Sequence, residues 1–278
     1  MKVKFFDGQL IKWFYGLLSA VSVVTSIVFL FVELAPAQKA VWGLVSLAVF
    51  LLIYIGLWIH ANVRSSITLK LNGGPVDITF GDMFGEEECW KAVAFNEYFD
   101  TQVDDVVISK QSLHGKFINR YFNGRVQELD AIIDSDRHLH SRIAGIEPDR
   151  DPGKKIKYRL GSVCAAGEFM LTALSHFDDE YRAYTNMHDY VSFLLNFWQE
   201  VDRVYSGKTV VIPLFGAGIT RFRGAESDMI SDQELLEMIL WSFRASRIKF
   251  AHGSRLKIML SVRKRDKISL HALKALEQ

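Results

Sequence analysis

The sequence predicts a pair of membrane-spanning helices followed by an α/β domain, in which strands and helices are layered around one core. Two uncharged apolar runs occupy most of the first sixty residues, whereas strand-like and helix-like segments alternate along the rest of the 278 residues. In the stretch 210–220, a short apolar strand leads directly into a glycine loop. Because open α/β sheets bind ligands just beyond the carboxyl ends of their strands, this stretch also predicts a binding site.

The two apolar runs cover residues 13–32 and 40–59, and a polar loop at 33–39 separates them. Each run, as a helix, is long enough to cross a bilayer core of roughly 30 Å. We therefore predict a transmembrane hairpin over residues 1–61 and a soluble domain over residues 62–278.

Two other interpretations of the apolar runs exist. The first run could be a cleaved signal peptide, since Ala35-Pro36-Ala37 is similar to a signal-peptidase site, or both runs could be buried core helices. The first run is longer than the apolar region of a usual signal peptide, and a second run follows at once. These two features favour membrane spans.

Basic residues predict the orientation of the hairpin in the membrane. Both outer flanks are basic, and the connecting loop carries a single lysine. By the positive-inside rule, both termini and the soluble domain face the cytoplasm, so that the chain is a two-pass protein of the cell membrane in contact with its lipid. The flanking residues are Lys2, Lys4, Lys12, Arg64 and Lys70, and the loop residue is Lys39.

Charge and spacing give no support to several other classes of site. A net charge of +1 provides no electrostatic argument for nucleic acid binding. Cys89 and Cys164 lack metal-like spacing, and the His- and Asp-rich segment 134–140 fits no zinc or calcium loop, so a solvated loop is predicted there. Gly207-Lys208-Thr209 resembles the end of a P-loop, but it precedes a strand, whereas the end of a P-loop precedes a helix. We therefore do not expect ATP binding at this triplet.

The first half of the soluble domain contains several strand patterns and one helix pattern. A helix is expected from Ser112 through Tyr121. The charged segment 149–157 holds Pro152 and Gly153 and is expected to be a surface connection. Strands are predicted over residues 65–71, 76–80, 91–95 and 105–109.

The second half continues the alternation of strands and helices. A strand pair is predicted over 158–165 and 168–175, with Gly167 at the turn, and a helix capped by Asn186 is predicted to run to Tyr205. The later elements are a strand at 210–215, a helix that starts at the capping box Ser231-x-x-Glu234, a strand at 256–262 and a short closing helix.

Three segments of the soluble domain resemble motifs of the macro-domain family. Gly81-Asp82-Met83-Phe84 resembles the Gly-Asp-Ile-Thr motif, and Ala94-Phe95-Asn96 resembles the start of Val-Asn-Ala-Ala-Asn. Phe215-Gly216-Ala217-Gly218-Ile219 resembles the phosphate loop Ser-Thr-Gly-Ile. The resemblance implies a mixed central sheet flanked by helices and a ligand of the ADP-ribose class.

The resemblance also implies roles for individual residues. Asp82 would contact adenine, Asn96 would lie near the distal ribose, and residues 216–220 would cradle the diphosphate. An additional group on the ligand would lie beyond the distal ribose, where Asp100 could pair with a cation. The expected ligand-binding residues are Asp82, Met83, Asn96, Asp100, His114, Phe215, Gly216, Ala217, Gly218, Ile219, Thr220 and Arg221. No catalytic residue, cofactor or metal is expected.

A second resemblance points to a more specific group of proteins within the macro-domain family. Two spans followed by a divergent macro domain, with Asn-Glu-Tyr-Phe-Asp at 96–100 and Ser-Leu-His-Gly-Lys-Phe at 112–117, resemble the Thoeris A effectors of type II bacterial anti-phage systems. This implies that a partner TIR protein makes an ADP-ribose-derived signal, a histidine–ADP-ribose conjugate. The effector would sense the signal, form homo-oligomers, disrupt the membrane and arrest the infected cell.

Two departures from the macro-domain pattern bear on catalysis. Phe99 stands where the second asparagine of the usual segment would be, and 112–117 replaces the glycine-rich stretch of hydrolytic macro domains. The sequence therefore fits a protein that senses a nucleotide signal better than it fits a hydrolase. A membrane-tethered ADP-ribosyl hydrolase, and a scaffold or transporter subunit without a small ligand, are the competing hypotheses.

Overall fold

The computed structural model describes residues 3–32, 35–224 and 230–277, apart from the side chains of Gln9 and Ala37. The predicted loop residues Glu33 and Leu34 lie outside the described part of the chain. Contacts divide the chain into two compact units. The first contains residues 1–65 together with 268–276 and 278, and the second contains residues 66–267 together with 277.

The first unit contains two long apolar helices, α1 (Gly8–Phe29) and α2 (Pro36–Val63). In the most apolar window of each helix, 0% and 6% of the residues are buried, respectively. A core helix of a soluble protein would be mostly buried, so this exposed apolar surface favours the membrane-spanning interpretation. The first helix ends three residues before the predicted end of the first run at residue 32.

The segment before α1 packs against the end of α2. The backbone N–H of Val3 donates to Asn62 Oδ1 at 3.1 Å, and Trp58 Nε1 donates to the Val3 carbonyl at 2.9 Å. The hydroxyl of Tyr54 donates to the carbonyl of Phe5, whose ring lies 5.0 Å from that of Tyr54. These side-chain contacts hold the start of α1 and the end of α2 at one end of the hairpin.

The end of the chain also belongs to this first unit. The rings of Trp13 and His271 make an edge contact at 5.2 Å, and Lys274 Nζ lies 4.4 Å from the centre of the Trp13 ring. His271 Nε2 lies 3.4 Å from an Asp7 carboxylate oxygen, and burial lowers the pKa of His271. The predicted closing helix is a 3-10 helix, Ala272–Glu277. The chain therefore leaves the first unit after residue 65 and returns to it after residue 267.

The second unit contains a mixed sheet with flanking helices, which confirms the predicted fold class. The strands are, in chain order, β1 (Ser66–Leu71), β2 (Gly74–Phe80), β3 (Cys89–Asn96), β4 (Ile143–Ile146), β5 (Ile156–Tyr158), β6 (Val163–Ala166), β7 (Phe169–Phe177), β8 (Ala183–Thr185), β9 (Thr209–Pro213), β10 (Arg221–Phe222) and β11 (Leu256–Leu260). The helices are α3 (Leu113–Tyr121), α4 (Val126–Ser135), α5 (Arg137–His140), α6 (Met187–Val204) and α7 (Asp232–Ser246), with 3-10 helices at Met83–Gly85 and Val262–Lys264.

The strand order is β1-β2-β11-β9-β3-β7-β8-β10, and β6 pairs with β7 outside this path. The run from β2 through β11, β9 and β3 to β7 is parallel, whereas β1 and β8 pair antiparallel with their neighbours β2 and β7. The side chains of β1 alternate between exposed and buried, as its sequence predicts. The carboxyl ends of the parallel strands consequently lie along one edge of the sheet, where a ligand site is expected.

The predicted strand at 105–109 is wrong. Asp104 Oδ1 accepts hydrogen bonds from the backbone N–H groups of Val106 and Val107 at 2.8 and 2.7 Å, and Asp105 Oδ1 accepts one from Lys110 at 2.8 Å. Aspartate side chains that bond to nearby backbone offer the chain an alternative to a strand ladder. The segment therefore forms a series of bends, although it has an apolar composition.

The predicted strand at 158–165 is confirmed from Val163 onward but is wrong before it, because two separate strands occupy the region. β5 pairs with β4 in a small second sheet, whereas β6 forms the predicted antiparallel pair with β7. Gly161 lies between β5 and β6 at φ 86°, and a Cβ there would come within 2.8 Å of the Phe193 carbonyl. This left-handed residue turns the chain and interrupts the strand.

The contact between Trp13 and the closing segment makes a testable contribution to stability. We expect Trp13→Leu to destabilise the full chain by about 1 kcal/mol, since the edge contact with His271 and the cation–π contact with Lys274 are lost. The midpoint of thermal unfolding in detergent measures this. Trp42→Leu is the matched control, because Trp42 is exposed on α2. Equal losses in both variants would contradict the contact.

Candidate functional site

A cleft with two lobes lies at the carboxyl ends of the parallel strands. The first, named here the Asp82 lobe, has a volume of about 710 Å³ and includes Asp82, Met83 and Met259 in its lining. The second, named here the His114 lobe, has a volume of about 450 Å³ and includes Asn96 and His114. Both lobes are lined by the same four residues at their junction, which are Leu113, Pro213, Leu214 and Gly218. One extended ligand could therefore occupy both lobes.

Most of the predicted site residues line one of these lobes. The Asp82 lobe is lined by Asp82, Met83, Ala217 and Gly218. The His114 lobe is lined by Asn96, His114, Phe215, Gly216, Gly218, Ile219, Thr220 and Arg221. Asp100 lines neither lobe.

The two glycines of the loop after β9 have different physical roles. Gly216 has φ 79°, and a Cβ there would lie 3.2 Å from the rings of Phe222 and Tyr190. A side chain at this position would therefore be strained. A Cβ on Gly218 would meet nothing within 4 Å. Gly218 thus borders open space in the cleft, and a larger side chain there would fill the junction of the lobes.

The loop is anchored to α6 through Phe215. Its ring lies 5.1 Å from the rings of both Phe193 and Phe197, and its carbonyl accepts a hydrogen bond from the Tyr190 hydroxyl at 2.9 Å. The Phe215 side chain is buried and belongs mainly to the core, although it also borders the His114 lobe. Phe215 therefore anchors the loop through the core of the domain. The sequence motif alone does not indicate this role.

Asp82 combines a local capping role with exposure to the cleft. Its Oδ1 accepts the backbone N–H of Phe84 at 3.1 Å and caps the 3-10 helix Met83–Gly85. Its Oδ2 lies 3.5 Å from a guanidinium nitrogen of Arg120. The side chain is 65% exposed, so it can still accept hydrogen bonds from a ligand.

The turn after β3 is held by its own polar side chains. Asn96 Oδ1 accepts the backbone N–H groups of Tyr98 and Asp100 at 3.1 and 3.2 Å, and Asn96 Nδ2 donates to Asp100 Oδ2 at 2.8 Å. Phe99 takes φ 52° within the turn. Asn96 therefore shapes this wall of the His114 lobe through bonds that it makes within the protein.

The expected pairing of Asp100 with a ligand cation does not fit this structure. The Asp100 carboxylate is fully buried, and both of its oxygens are bonded to Arg150, at 2.9 and 2.6 Å. The backbone N–H of Lys154 also donates to Oδ1 at 2.7 Å. The prediction that 149–157 is only a surface connection is wrong for Arg150, whose side chain is 8% exposed and lies 3.9 Å from the centre of the Tyr98 ring.

His114 is buried at the edge of its lobe in the neutral form. Its ring contacts that of Phe95 in a tilted arrangement, with a centroid distance of 3.5 Å and an interplanar angle of 39°. Burial lowers the pKa of His114 to about 3, although a hydrogen bond to the Asp100 backbone acts in the opposite direction. Helix α3 positions this ring. Its cap Ser112 accepts the N–H of Gly115 at 2.9 Å, and a Cβ on Gly115 would lie 2.3 Å from the Ser109 carbonyl oxygen.

Comparison with known proteins decides the family. The family model described as "Thoeris protein ThsA, Macro domain" matches residues 76–261. The chain is also 36% identical over 274 residues to the Thoeris protein ThsA of Bacillus amyloliquefaciens (strain Y2), which covers 98% of this chain and 91% of that protein. The chain belongs to the Thoeris ThsA family.

Solved macrodomains from Oceanobacillus iheyensis share a similar chain path with this ThsA-family protein. A mutant macrodomain aligns with 76% of this chain and 93% of its own, at 12% identity and a TM-score of 0.48. The structure described as the macrodomain with ADP aligns with 77% of this chain and 94% of its own, at 11% identity and the same TM-score. The family assignment rests on the sequence matches above and not on these likenesses.

Several cleft residues of this ThsA-family domain were not predicted from the sequence. Tyr181 and Arg182, at the tip between β7 and β8, line the His114 lobe, and Lys116, Arg120 and Lys264 line the Asp82 lobe. The sequence signal for the first pair is weak, because it lies in a charged turn. The helical spacing of Lys116 and Arg120 after the Leu113 position could have indicated a basic wall of the cleft.

A histidine bridges two carboxylates behind the His114 lobe. His176 Nδ1 lies 2.7 Å from Glu97 Oε2, and its Nε2 lies 3.1 Å from Asp189 Oδ2. The hydrogen bond with Glu97 is the main cause that raises the pKa of His176. The neighbours of His176 on β7, Ser175 and Phe177, line the lobe. The bridge therefore joins the ends of β3 and β7 to the start of α6.

This bridge predicts a pH dependence of stability. The folded protein raises the pKa of His176 above its ordinary value of 6.5. The protonated bridge consequently contributes fully below that value, and its contribution is lost as the pH rises through the raised pKa. We expect His176→Gln to lower the denaturant midpoint of the full chain in detergent below pH 6.5, and by less at higher pH.

His252→Gln is the matched control for this pH series, because His252 is exposed. The control should follow the wild-type curve. A deficit in His176→Gln that grows with rising pH would contradict the protonated bridge.

Proposed function

We propose that this chain is a membrane-anchored effector of bacterial anti-phage defence whose macro domain senses an ADP-ribose-derived signal made by a partner TIR protein. Membership of the Thoeris ThsA family and the two apolar helices support this proposal. The single observation that carries the sensing role is the two-lobed cleft with Gly218 at its junction. Its two lobes suit a ligand with a nucleoside at one end and a second group at the other.

In the proposed arrangement, the adenosine lies in the Asp82 lobe and the diphosphate lies along residues 216–220. Consecutive backbone N–H groups of such a loop suit phosphate oxygens. The distal ribose and an attached amino acid occupy the His114 lobe, and histidine–ADP-ribose is the proposed signal. Ring faces and backbone groups of this lobe would contact the additional group, because Asp100 is already paired with Arg150.

The chemistry of the distal lobe supports a sensor more than an ADP-ribosyl hydrolase. Hydrolysis needs a group that activates water or stabilises developing charge beside the distal ribose. Here the carboxylate of Asp100 is buried in an ion pair, and the amide of Asn96 is used within its own turn. Leu113 and His114 also stand in the segment that replaces the usual glycines. The hydrolase remains the alternative function that the binding experiments also test.

The proposed output is disruption of the cell membrane by homo-oligomers, with the macro domain and both termini on the cytoplasmic side. A single two-helix hairpin has no polar lumen, so one copy cannot conduct ions. Ligand binding can drive assembly only if the assembled state binds the ligand better than the single copy does. Small residues in the helices, such as Gly16, Ser19, Gly43 and Ser46, allow close packing between copies.

The ligand-binding proposal is tested at Gly218. We expect Gly218→Val to abolish binding of ADP-ribose and histidine–ADP-ribose, since the new side chain fills the junction of the lobes. Calorimetry of the full chain in detergent measures the affinity. Gly145→Val on β4 is the matched control, because a Cβ there also meets nothing within 4 Å and Gly145 lines neither lobe. Full affinity in Gly218→Val would show that the ligand binds elsewhere. Release of free ADP-ribose from histidine–ADP-ribose would favour the hydrolase.

Asp82→Asn tests the adenine contact separately. Asparagine keeps an acceptor for the Phe84 N–H and preserves the cap. We expect the affinity for ADP-ribose to fall by on the order of 1.5–3 kcal/mol if the carboxylate accepts a charge-assisted hydrogen bond. The thermal midpoint of the unliganded protein should not change. An unchanged affinity, measured by the same calorimetry, would remove Asp82 from the proposed site.

The membrane output is tested in cells that produce the signal. The full chain should depolarise these cells, whereas Gly218→Val, with the same hairpin and an obstructed cleft, should not. A potential-sensitive dye measures the effect, and quantification of the protein in the membrane fraction confirms equal amounts. Arrest by residues 62–278 without the hairpin would contradict the membrane mechanism.

A further inference from the structure

Three cationic side chains line the Asp82 lobe, and two of them are paired with carboxylates. Arg120 lies 3.5 Å from Asp82, and Lys264 lies 2.7 Å from Asp232. Lys116 lines the same lobe, and no described carboxylate, within residues 3–32, 35–224 and 230–277, forms an ion pair with it. The described side chains of the lobe therefore leave one positive charge that is not balanced by a neighbouring ion pair.

The position of Lys116 is fixed by the helix that carries it. It follows Leu113 by one turn of α3, and Leu113 lines both lobes of the cleft. Its neighbour Phe117 is fully buried, and Gly115 packs so closely on the Ser109 carbonyl that a Cβ there would lie 2.3 Å from the carbonyl oxygen. Lys116 therefore extends from a helix that is packed closely against the rest of the domain.

The lobe that contains Lys116 also contains part of the glycine loop. Ala217 and Gly218 line it together with Lys116. Backbone N–H groups of such a loop bring partial charges to a phosphate, but no full positive charge. An ammonium on the same lobe supplies that charge, and its three donors suit phosphate oxygens.

We propose that Lys116 binds a phosphoryl group of the ligand and is a specificity-determining residue of this cleft. The proposal rests on the proposed sensing function. The phosphoryl group belongs either to the diphosphate of an ADP-ribose compound or to an additional phosphate on its adenosine ribose. Lys264 is bound to Asp232 and Arg120 lies beside Asp82, so Lys116 is the cation of the Asp82 lobe that has no carboxylate partner among the described residues.

The test compares the full chain in detergent with Lys116→Gln and with the charge-conserving Lys116→Arg. Lys208→Gln is the matched control, because Lys208 is an exposed lysine that lines neither lobe. The probes are ADP-ribose, 2′-phospho-ADP-ribose and adenosine, and the affinities are measured by calorimetry over a range of salt concentrations.

Lys116→Gln should weaken the binding of at least one of the two phosphorylated probes by about tenfold, the lower end for a charge-assisted hydrogen bond at an exposed position. The salt dependence of binding should also decrease, since one exposed charge pair is lost. Lys116→Arg should retain most of the affinity, and adenosine binding should not change. Equal losses for both phosphorylated probes would identify the diphosphate as the source, whereas a loss confined to 2′-phospho-ADP-ribose would identify the additional phosphate.

Unchanged affinity for both phosphorylated probes in Lys116→Gln would overturn the role of Lys116 and leave the sensing function in place. An equal loss for adenosine would also overturn it, because the substitution would then act through the fold. Failure of the wild-type chain to bind any ADP-ribose compound would instead contradict the sensing function itself.

Discussion

The buried ion pair of Asp100 and Arg150 is the interaction on which one half of the cleft depends. Both charges are removed from water, which is costly unless every oxygen and N–H group finds a partner. Here the Asp100 carboxylate accepts two hydrogen bonds from the Arg150 guanidinium. It also accepts one from Asn96 Nδ2 and one from the backbone N–H of Lys154. Loss of either charge would leave the other uncompensated in the interior, at a cost of about 3–5 kcal/mol.

The same ion pair connects three parts of the sequence. It fixes the turn after β3, draws the segment around residue 150 into the domain, and leaves the Asp100 backbone as the partner of the His114 ring. The glycine loop on the other side of the cleft is held differently, by the packing of Phe215 and the hydroxyl of Tyr190. The cleft is therefore formed between two supports that are rigid for independent reasons, which is the preorganisation that tight ligand binding requires.

Much of this architecture could be predicted from local sequence, because local chemistry determines it. The two apolar runs, the alternation in β1, the capping box at Ser231 and the turn at Gly167 each depend on residues close together in the chain. The ends of these elements could be predicted less well, as for α1, because helix ends depend on contacts beyond the run.

The errors occurred where distant residues or polar side chains override local pattern. Asp104 and Asp105 turn an apolar stretch into bends, and Asp100 finds its cation fifty residues later in Arg150. The association of His271 with Trp13 spans almost the entire chain. No local pattern encodes such pairs, so the sequence indicated where the cleft would form but not which of its charges would be paired.

The course of the chain determines how ligand binding in the domain could act on the two-helix hairpin. Lys264 lines the Asp82 lobe, and the chain enters the hairpin unit after residue 267, where His271 and Lys274 contact Trp13. At the beginning of the second unit, α2 ends at Val63 and β1 begins at Ser66. Short connections at residues 65–66 and 267–268 therefore join the domain to the hairpin unit, and a ligand can act on the hairpin only if it binds two states of the protein with different affinity.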